Sequence, residues 1–239
     1  MKSTSDAVTV VIPAYNEEKR IGQCLEALTR QTYTKPYTVI VVDNKSTDNT
    51  RKIALSFPRV RVLSEKQKGY VFAVKAGVEQ SKTPFLAITD SDTKPSATWL
   101  ETIMSHFEAN PQLIASGGPS YFYDGPLLLR ATYNALSYIY PPMFNPRLSG
   151  MNMAFRRSSY NAVGGYDTSV NMGADTFLGI KLMKFGKVRF YRSQWVLGSS
   201  RRFADPKLFL REAWAQLANY LSLVIRHKPL YFTYNDIRS

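Results

Sequence analysis

Four short apolar runs, residues 8–12, 37–42, 60–63 and 85–88, are rich in β-branched and aromatic side chains, and each is separated from the next by a segment with helical spacing. Runs of this length fit strands buried on both faces, and a helix between each pair requires parallel pairing through right-handed crossovers. The first run is closed by Pro13, and Asn16 is placed to cap a following helix whose first turn carries Glu17 and Glu18. Ile21, Cys24, Leu25 and Leu28 then recur at helical intervals. Ser46, Thr47 and Asp48 open a second helix that runs to Ser56, and Val71, Val74 and Val78 lie on one face of a third over residues 69–80. The N-terminal half therefore reads as an α/β sheet of the kind that binds nucleotides at its strand ends.

The second half is less regular. Residues 97–110 read as a helix, and residues 113–121 as one strand whose Gly117-Gly118 implies a bulge or the close approach of a ligand. A helix over 174–185 and a strand over 188–191 follow. Residues 207–225 form an amphipathic helix with Leu210, Trp214, Leu217, Leu221 and Val224 on one stripe, either packed on the body or facing a membrane or partner. With 239 residues, the division expected is one domain over 1–203, split into a nucleotide-binding half, 1–95, and an acceptor and catalytic half, 96–203. Residues 204–239 would be a helical extension.

Apolar residues make up 44% and charged residues 21% of the chain, values of a globular protein without low-complexity tracts. The single cysteine, Cys24, excludes an intramolecular disulfide and any cysteine-rich metal site, and its helical position suits a small apolar filler. The polar first six residues lack the three-part form of a secretory signal, and residues 126–142, the most apolar stretch, contain Arg130 and Asn134 and make a poor membrane span. A cytoplasmic protein is expected, with peripheral attachment to the inner membrane face as one option. The net charge of +13 favours anionic company such as phosphorylated substrates or an anionic membrane surface. No nucleic-acid-binding module is recognisable, so no nucleic acid is expected as a partner.

The run at 85–88 leads into Asp90-Ser91-Asp92. In an extended segment alternate residues point the same way, so both carboxylates can meet one hard cation, Mg2+ or Mn2+, together with the oxygens of a diphosphate. In isolation such a pair reads equally as two solvated turn residues before Pro95.

Three motifs occur in order, each at a strand end: Val10-Val11-Ile12-Pro13-Ala14-Tyr15-Asn16-Glu17-Glu18, Val41-Val42-Asp43-Asn44-Lys45-Ser46-Thr47-Asp48, and Thr89-Asp90-Ser91-Asp92. Together they resemble the opening half of a family-2 glycosyltransferase with the GT-A fold, a Rossmann-like, mostly parallel sheet flanked by helices. The resemblance continues through Gly150-Met151-Asn152-Met153-Ala154-Phe155-Arg156-Arg157, Gly164-Gly165-Tyr166-Asp167 and Ala174-Asp175, and spans roughly residues 8–202. It implies a metal-dependent, inverting transfer of a sugar from a UDP- or GDP-linked donor to a hydroxyl of a glycan or lipid-linked acceptor.

By this resemblance Pro13, Ala14, Tyr15, Glu17 and Asp43 hold the nucleotide base and ribose, and Ser91 lies between the carboxylates of the donor site. Asp92 coordinates the metal, with Asp90 facing the ribose or a metal-bound water. Lys68 reaches a phosphate or stays in solvent, while Arg201 or Arg202 clamps the diphosphate or faces solvent or lipid; Arg156 and Arg157 are further candidates. Asp175 matches the catalytic base, but the family's preceding Glu is replaced by Ala174. That departure keeps open a rival of another class, a catalytically silent nucleotide-sugar-binding or scaffold protein. The Gln-x-x-Arg-Trp motif of processive synthases is missing, which implies one sugar added per encounter.

Overall fold

The computed structural model describes residues 7–139, 148–170, 172–201 and positions 214–215, 218–219, 221–222, 225–226 and 230. Strand β1 (Val8–Ala14), helix α1 (Ile21–Thr29), β2 (Tyr37–Asp43), α2 (Thr50–Leu55), β3 (Val60–Ser64), α3 (Tyr70–Gln80) and β4 (Phe85–Ile88) realise the expected alternation. The chain continues through β5 (Lys94–Pro95), α4 (Trp99–Ala109), β6 (Leu113–Gly117), β7 (Ser120–Phe122) and α5 (Leu127–Ile139). Then come β8 (Met153–Arg156), α6 (Arg157–Ala162), α7 (Ala174–Phe185), β9 (Lys187–Phe190) and β10 (Val196–Gly198). A seven-stranded sheet has the order β3-β2-β1-β4-β8-β6-β9, and a three-stranded sheet the order β5-β10-β7.

Strands β1 to β4 pair in parallel, whereas β8 runs antiparallel to both β4 and β6. Side chains of β1 alternate between two cores: Val8, Val10, Ile12 and Ala14 pack with Ile21, Cys24, Leu25 and Leu28 of α1 and Trp99 of α4. Val11 faces the opposite layer with Val71, Val74 and Val78 of α3 and Leu178 and Leu182 of α7. Thr9 also points inward, and its hydroxyl is satisfied by Ser81 Oγ at 2.7 Å and Thr83 Oγ1 at 2.9 Å. At Gly77 a Cβ would stand 2.4 Å from Val11 Cγ1, so the absent side chain is what lets α3 lie this close to β1.

Several expectations are corrected. Asn16 does not cap α1; it adopts a positive φ of 50° and its Oδ1 accepts from the backbone N–H of Thr47 at 2.9 Å, tying two loops together. The strand expected over 113–121 is two strands, because Gly117-Gly118 passes the chain from one sheet to the other. A Cβ at Gly118 would lie 1.6 Å from the carbonyl oxygen of Gln194. The close approach inferred from the glycines is therefore to backbone, not to a ligand.

The apolar stretch around 126–142 forms α5, as far as residue 139, and its leucines do not enter the core: Leu127 and Leu128 are 72% and 81% exposed. Toward β7 the helix turns Tyr133, stacked on Phe122 with ring centroids 3.8 Å apart, and Asn134, whose amide accepts from the N–H of Phe122 at 2.7 Å and donates to its carbonyl at 3.3 Å. Phe122 ends β7, which among the described residues is an edge strand, and the amide bonds its backbone there. Of the C-terminal stripe, Leu210, Leu217 and Val224 lie outside the described residues, as does most of the extension. At the described positions Trp214 and Leu221 are exposed, while Ala215, Asn219 and Ser222 are buried.

Gly118→Ala should destabilise the fold by about 3 kcal/mol or more, since the clash is with backbone that cannot rotate away. Urea unfolding would measure it; a loss under 1 kcal/mol would show that the crossing is not tight.

Candidate functional site

Strand order reverses at β1, because β2 and β3 extend the sheet to one side and β4 is laid on the other. In an open α/β sheet the crevice outside the carboxyl ends at such a reversal is where ligands bind. Ala14 ends β1 beside Asp43, the last residue of β2, and both are buried. The loops beyond them are laced together: Ser46 Oγ accepts from Asn16 N–H at 3.0 Å, Thr50 Oγ1 from Glu17 N–H at 2.6 Å, and Asp48 Oδ2 from Glu18 N–H at 3.1 Å. Pro13 pairs with Val42 one step inside the sheet.

Asn44 was not singled out among the candidates, yet it orders the loop after β3. Its amide donates to the carbonyls of Glu65 and Gln67 at 3.2 and 2.7 Å and accepts from Gly69 N–H at 2.7 Å. That loop sets Lys68 over the ring of Tyr15, 4.4 Å from its centroid, with Nζ donating to the phenol oxygen at 3.1 Å. Lys68 thus lies against the aromatic face of Tyr15 while its side chain stays exposed.

Asp90 and Asp92 are not in an extended segment. Thr93 N–H donates to the Asp90 carbonyl at 3.1 Å, closing a turn that contains the buried Ser91. The thiol of Cys24 contacts the same carbonyl at 3.5 Å, so the residue expected to be a plain filler also braces the turn. Burial pushes this thiol strongly up, reinforced by the charges of Asp92, Asp90 and Glu17, which places all three carboxylates around it.

Arg201 closes the group. One terminal nitrogen, Nη2, contacts both Glu17 Oε1 and Asp92 Oδ2, the latter at 2.8 Å, and Glu17 is only 2% exposed. Burial works against the guanidinium's charge, but the bonds to Glu17 and Asp92 more than offset it and raise its pKa further. Its Nε is buried without a hydrogen-bond partner among the described residues. The backbone behind it is held by Asp124, which sequence reading missed: its carboxylate accepts from Ser199 Oγ at 2.7 Å and Ser200 N–H at 2.6 Å. Arg202 lies outside the described residues.

The antiparallel direction of β8 decides which part of its motif reaches the crevice. Met153 pairs with Ile88, so Gly150 to Asn152 arrive beside the end of β4, while Arg156 pairs with Phe85 at the other end. Arg156 donates to the carbonyl of Leu113, and Arg157 to those of Thr83 and Val78. Both are structural, far from the carboxylates, and neither clamps a diphosphate.

Asp175 stands in the first turn of α7, where the positive end of the helix favours a carboxylate. Its Oδ1 accepts from the phenols of Tyr166 at 2.7 Å and Tyr70 at 3.2 Å. Burial raises its pKa to about 6, against the lowering effect of both phenols and of the Gly150 backbone N–H. Both phenols feel Asp175 and, more weakly, Asp90.

The donor set suits a hard divalent cation. Among the described residues no three His, Cys, Asp or Glu side chains form a cage. Mg2+ and Mn2+ are commonly held by one or two carboxylates, with water and phosphate oxygens completing the shell. Asp92 and Asp90 would hold the ion, which would supply Lewis acidity toward a departing diphosphate.

The profile of the family described as Glycosyl transferase family 2 matches residues 9–165, and the chain belongs to that family. It is similar to glycosyltransferase AglE of Haloferax volcanii, 38% identical over 129 residues that make up 52% of this chain and 42% of that protein. The chain spans less than half the length of the first curated relatives it matches. Among solved structures, the mannosyltransferase PcManGT from Pyrobaculum calidifontis, in complex with GDP-Man and Mn2+, superposes with a TM-score of 0.70 at 24% identity, covering 94% of this chain and 66% of that one. S. aureus TarS 1-349 in complex with UDP-GlcNAc gives a TM-score of 0.63 at 17% identity, over 81% of this chain and 58% of that one. The expected GT-A architecture is the fold these proteins share.

Arg201→Met should cost about 3–5 kcal/mol, since it leaves Glu17 charged and buried, and adding Glu17→Gln should recover much of the loss. Urea unfolding of the single and double variants tests this; a single variant as stable as the wild type would remove the ion pair from any structural role.

Proposed function

We infer that this protein transfers a sugar from a nucleotide-diphosphate donor to an acceptor hydroxyl, with inversion at the anomeric carbon and with a divalent cation bound by Asp92 and Asp90. The observation that best supports this reading is that Asp175, with a pKa near neutrality, packs against Gly150, just ahead of the β8 end that lies beside the β4 end leading into the Asp90 turn. Pro13, Ala14, Tyr15, Glu17 and Asp43 line the nucleoside end, and Lys68 over Tyr15 flanks it. The unpartnered Nε–H of Arg201 offers a diphosphate oxygen a charge-assisted bond.

Asp175 takes the proton of the acceptor hydroxyl as that oxygen forms its bond to the anomeric carbon, and the electron pair of the breaking bond leaves with the diphosphate. Attack opposite the leaving group turns an α-linked donor into a β-linked product. A silent scaffold would have no need of a carboxyl tuned toward neutrality, which favours catalysis over that rival.

A lipid-linked or membrane-proximal acceptor is supported by the exposed apolar side chains Leu127, Leu128, Leu136 and Tyr138 of α5, by Trp214, Leu221 and Ile225, and by the net charge of +13. Among the described residues no helix is long and apolar enough to cross a membrane. The domain division at 203 and the cytoplasmic, inner-face location belong to the same proposal.

A thermal-shift panel of UDP- and GDP-linked sugars with Mn2+ or Mg2+ should find at least one donor that stabilises the protein only when the metal is present. No metal-dependent shift with any donor would sink the donor reading. The rate of transfer should rise about tenfold per pH unit below 6 and level off above it, because the base acts only when ionised.

The folded pKa of Asp175 is raised above its ordinary 3.8, so the native state holds its proton more tightly and loses stability as pH climbs from about 4 to about 6. Asp175→Asn should therefore abolish transfer yet raise Tm by a few degrees at pH 7.5, with little change at pH 4. Retained transfer would remove Asp175 as the base. Sedimentation with anionic liposomes at low salt, weakened by Leu127→Ser/Leu128→Ser, checks the membrane clause, and absence of binding would withdraw it.

A further inference from the structure

The side-chain donors to the carboxylate of Asp175 converge on one of its oxygens. Two phenols, from Tyr70 at the start of α3 and Tyr166 in the turn before α7, both donate to Oδ1. Both phenols stay protonated and so keep a proton to donate, because burial and the adjacent Asp175 charge push both well above the ordinary phenol range. Oδ2 lies instead against Gly150, where an added Cβ would stand 2.6 Å from it and 1.9 Å from the Tyr70 phenol oxygen. The missing side chain at the buried Gly150 is thus what lets this backbone, the Tyr70 phenol and the carboxylate of Asp175 pack so closely. Ala174, the residue before the acid, is buried among apolar side chains and gives it no polar neighbour.

The tyrosines themselves are held from different parts of the fold. The amide of Tyr166 donates to the Tyr160 phenol at 3.1 Å, and Tyr160 stacks on Phe155 of β8 with ring centroids 5.2 Å apart. Tyr70 follows Gly69, whose N–H is fixed by Asn44 at the end of β2. One phenol is therefore tied to the β8 side of the crevice and the other to the nucleoside side.

We propose that Tyr70 and Tyr166 are positioning residues that grip Asp175 through Oδ1 and fix the orientation in which its carboxylate takes the acceptor's proton. This rests on Asp175 being the base. The phenols stabilise the ionised acid, and they hold its carboxylate at a fixed angle to the incoming hydroxyl. Two neutral donors suit this work better than a second carboxylate, which would oppose ionisation of the first.

The test uses the full chain with 13C-labelled aspartate, the Asp175 carboxyl resonance being identified by its loss in Asp175→Asn. Its titration midpoint should rise by about one pH unit in Tyr166→Phe, by less in Tyr70→Phe, whose bond is longer, and by most in the double variant. In parallel, release of nucleoside diphosphate from UDP-GlcNAc and from GDP-mannose with Mn2+ should fall about tenfold at pH 6 in Tyr166→Phe, with a smaller loss at pH 8 and donor KM unchanged. Midpoints that stay at the wild-type value in both single variants, with folding verified by circular dichroism, overturn the inference. Wild-type release by Asp175→Asn overturns the base assignment instead, so the two failures are told apart.

Discussion

Parallel strands cannot be joined by tight turns, so each of β1, β2 and β3 must hand the chain to a helix before the next strand begins. Two of these crossovers carry the sheet outward from β1, and the third, through α3, changes face and lays β4 on the other side. The loops after β1 and β4 then diverge at a shared edge and leave a crevice between them. Everything placed in the site hangs on that reversal: the β1 and β2 loops that brace one another, the Asp90 turn, and the opening into which Arg201 reaches. Close packing of α3 at Gly77 and the hydroxyl cluster at Thr9 hold the central strand in place.

The charge arrangement follows a second constraint. Glu17, Asp90 and Asp92 gather around the buried thiol of Cys24, and three carboxylates at the mouth of an apolar core would repel one another without a cation. Arg201, drawn in from the far end of the domain by the Asp124 clamp on Ser199 and Ser200, supplies it. A guanidinium bound to the same Asp92 that would hold a metal ties ligand binding to this ion pair. Asp175 is treated differently, with neutral donors only, and its proton affinity stays near the pH at which a base is useful.

Much of the first half was legible in the chain, because a buried parallel strand has to be apolar along its whole length and a helix over it has to repeat every three to four residues. The ends of β1, β2 and β4 followed, and with them Ala14, Asp43 and Asp90. Local geometry was harder to read. Asn16 has the chemistry of a cap but takes a positive φ and bonds across to Thr47, and Asp90 and Asp92 sit in a turn where an extended pair was expected. Arg156 and Arg157 resembled phosphate ligands only while the direction of β8 was unknown. Tyr166 could have been noticed, since it lies within a quoted motif, but nothing in the order of residues joins it to Tyr70.

What the sequence determined by itself is the alternation of strands and helices, the family, and the carboxylates placed at strand ends, because each depends on periodicity or on short contiguous motifs. What only the tertiary structure decided is which of those groups meet. Tyr70 lies 105 residues from Asp175, and Arg201 lies 184 residues from Glu17. Their meeting depends on the reversed strand β8 and on a clamp at Asp124, neither of which leaves a local signature. Exposure was decided there too: α5 turns Asn134 and Tyr133 toward Phe122 of β7, and Leu127, Leu128 and Leu136 are left outside.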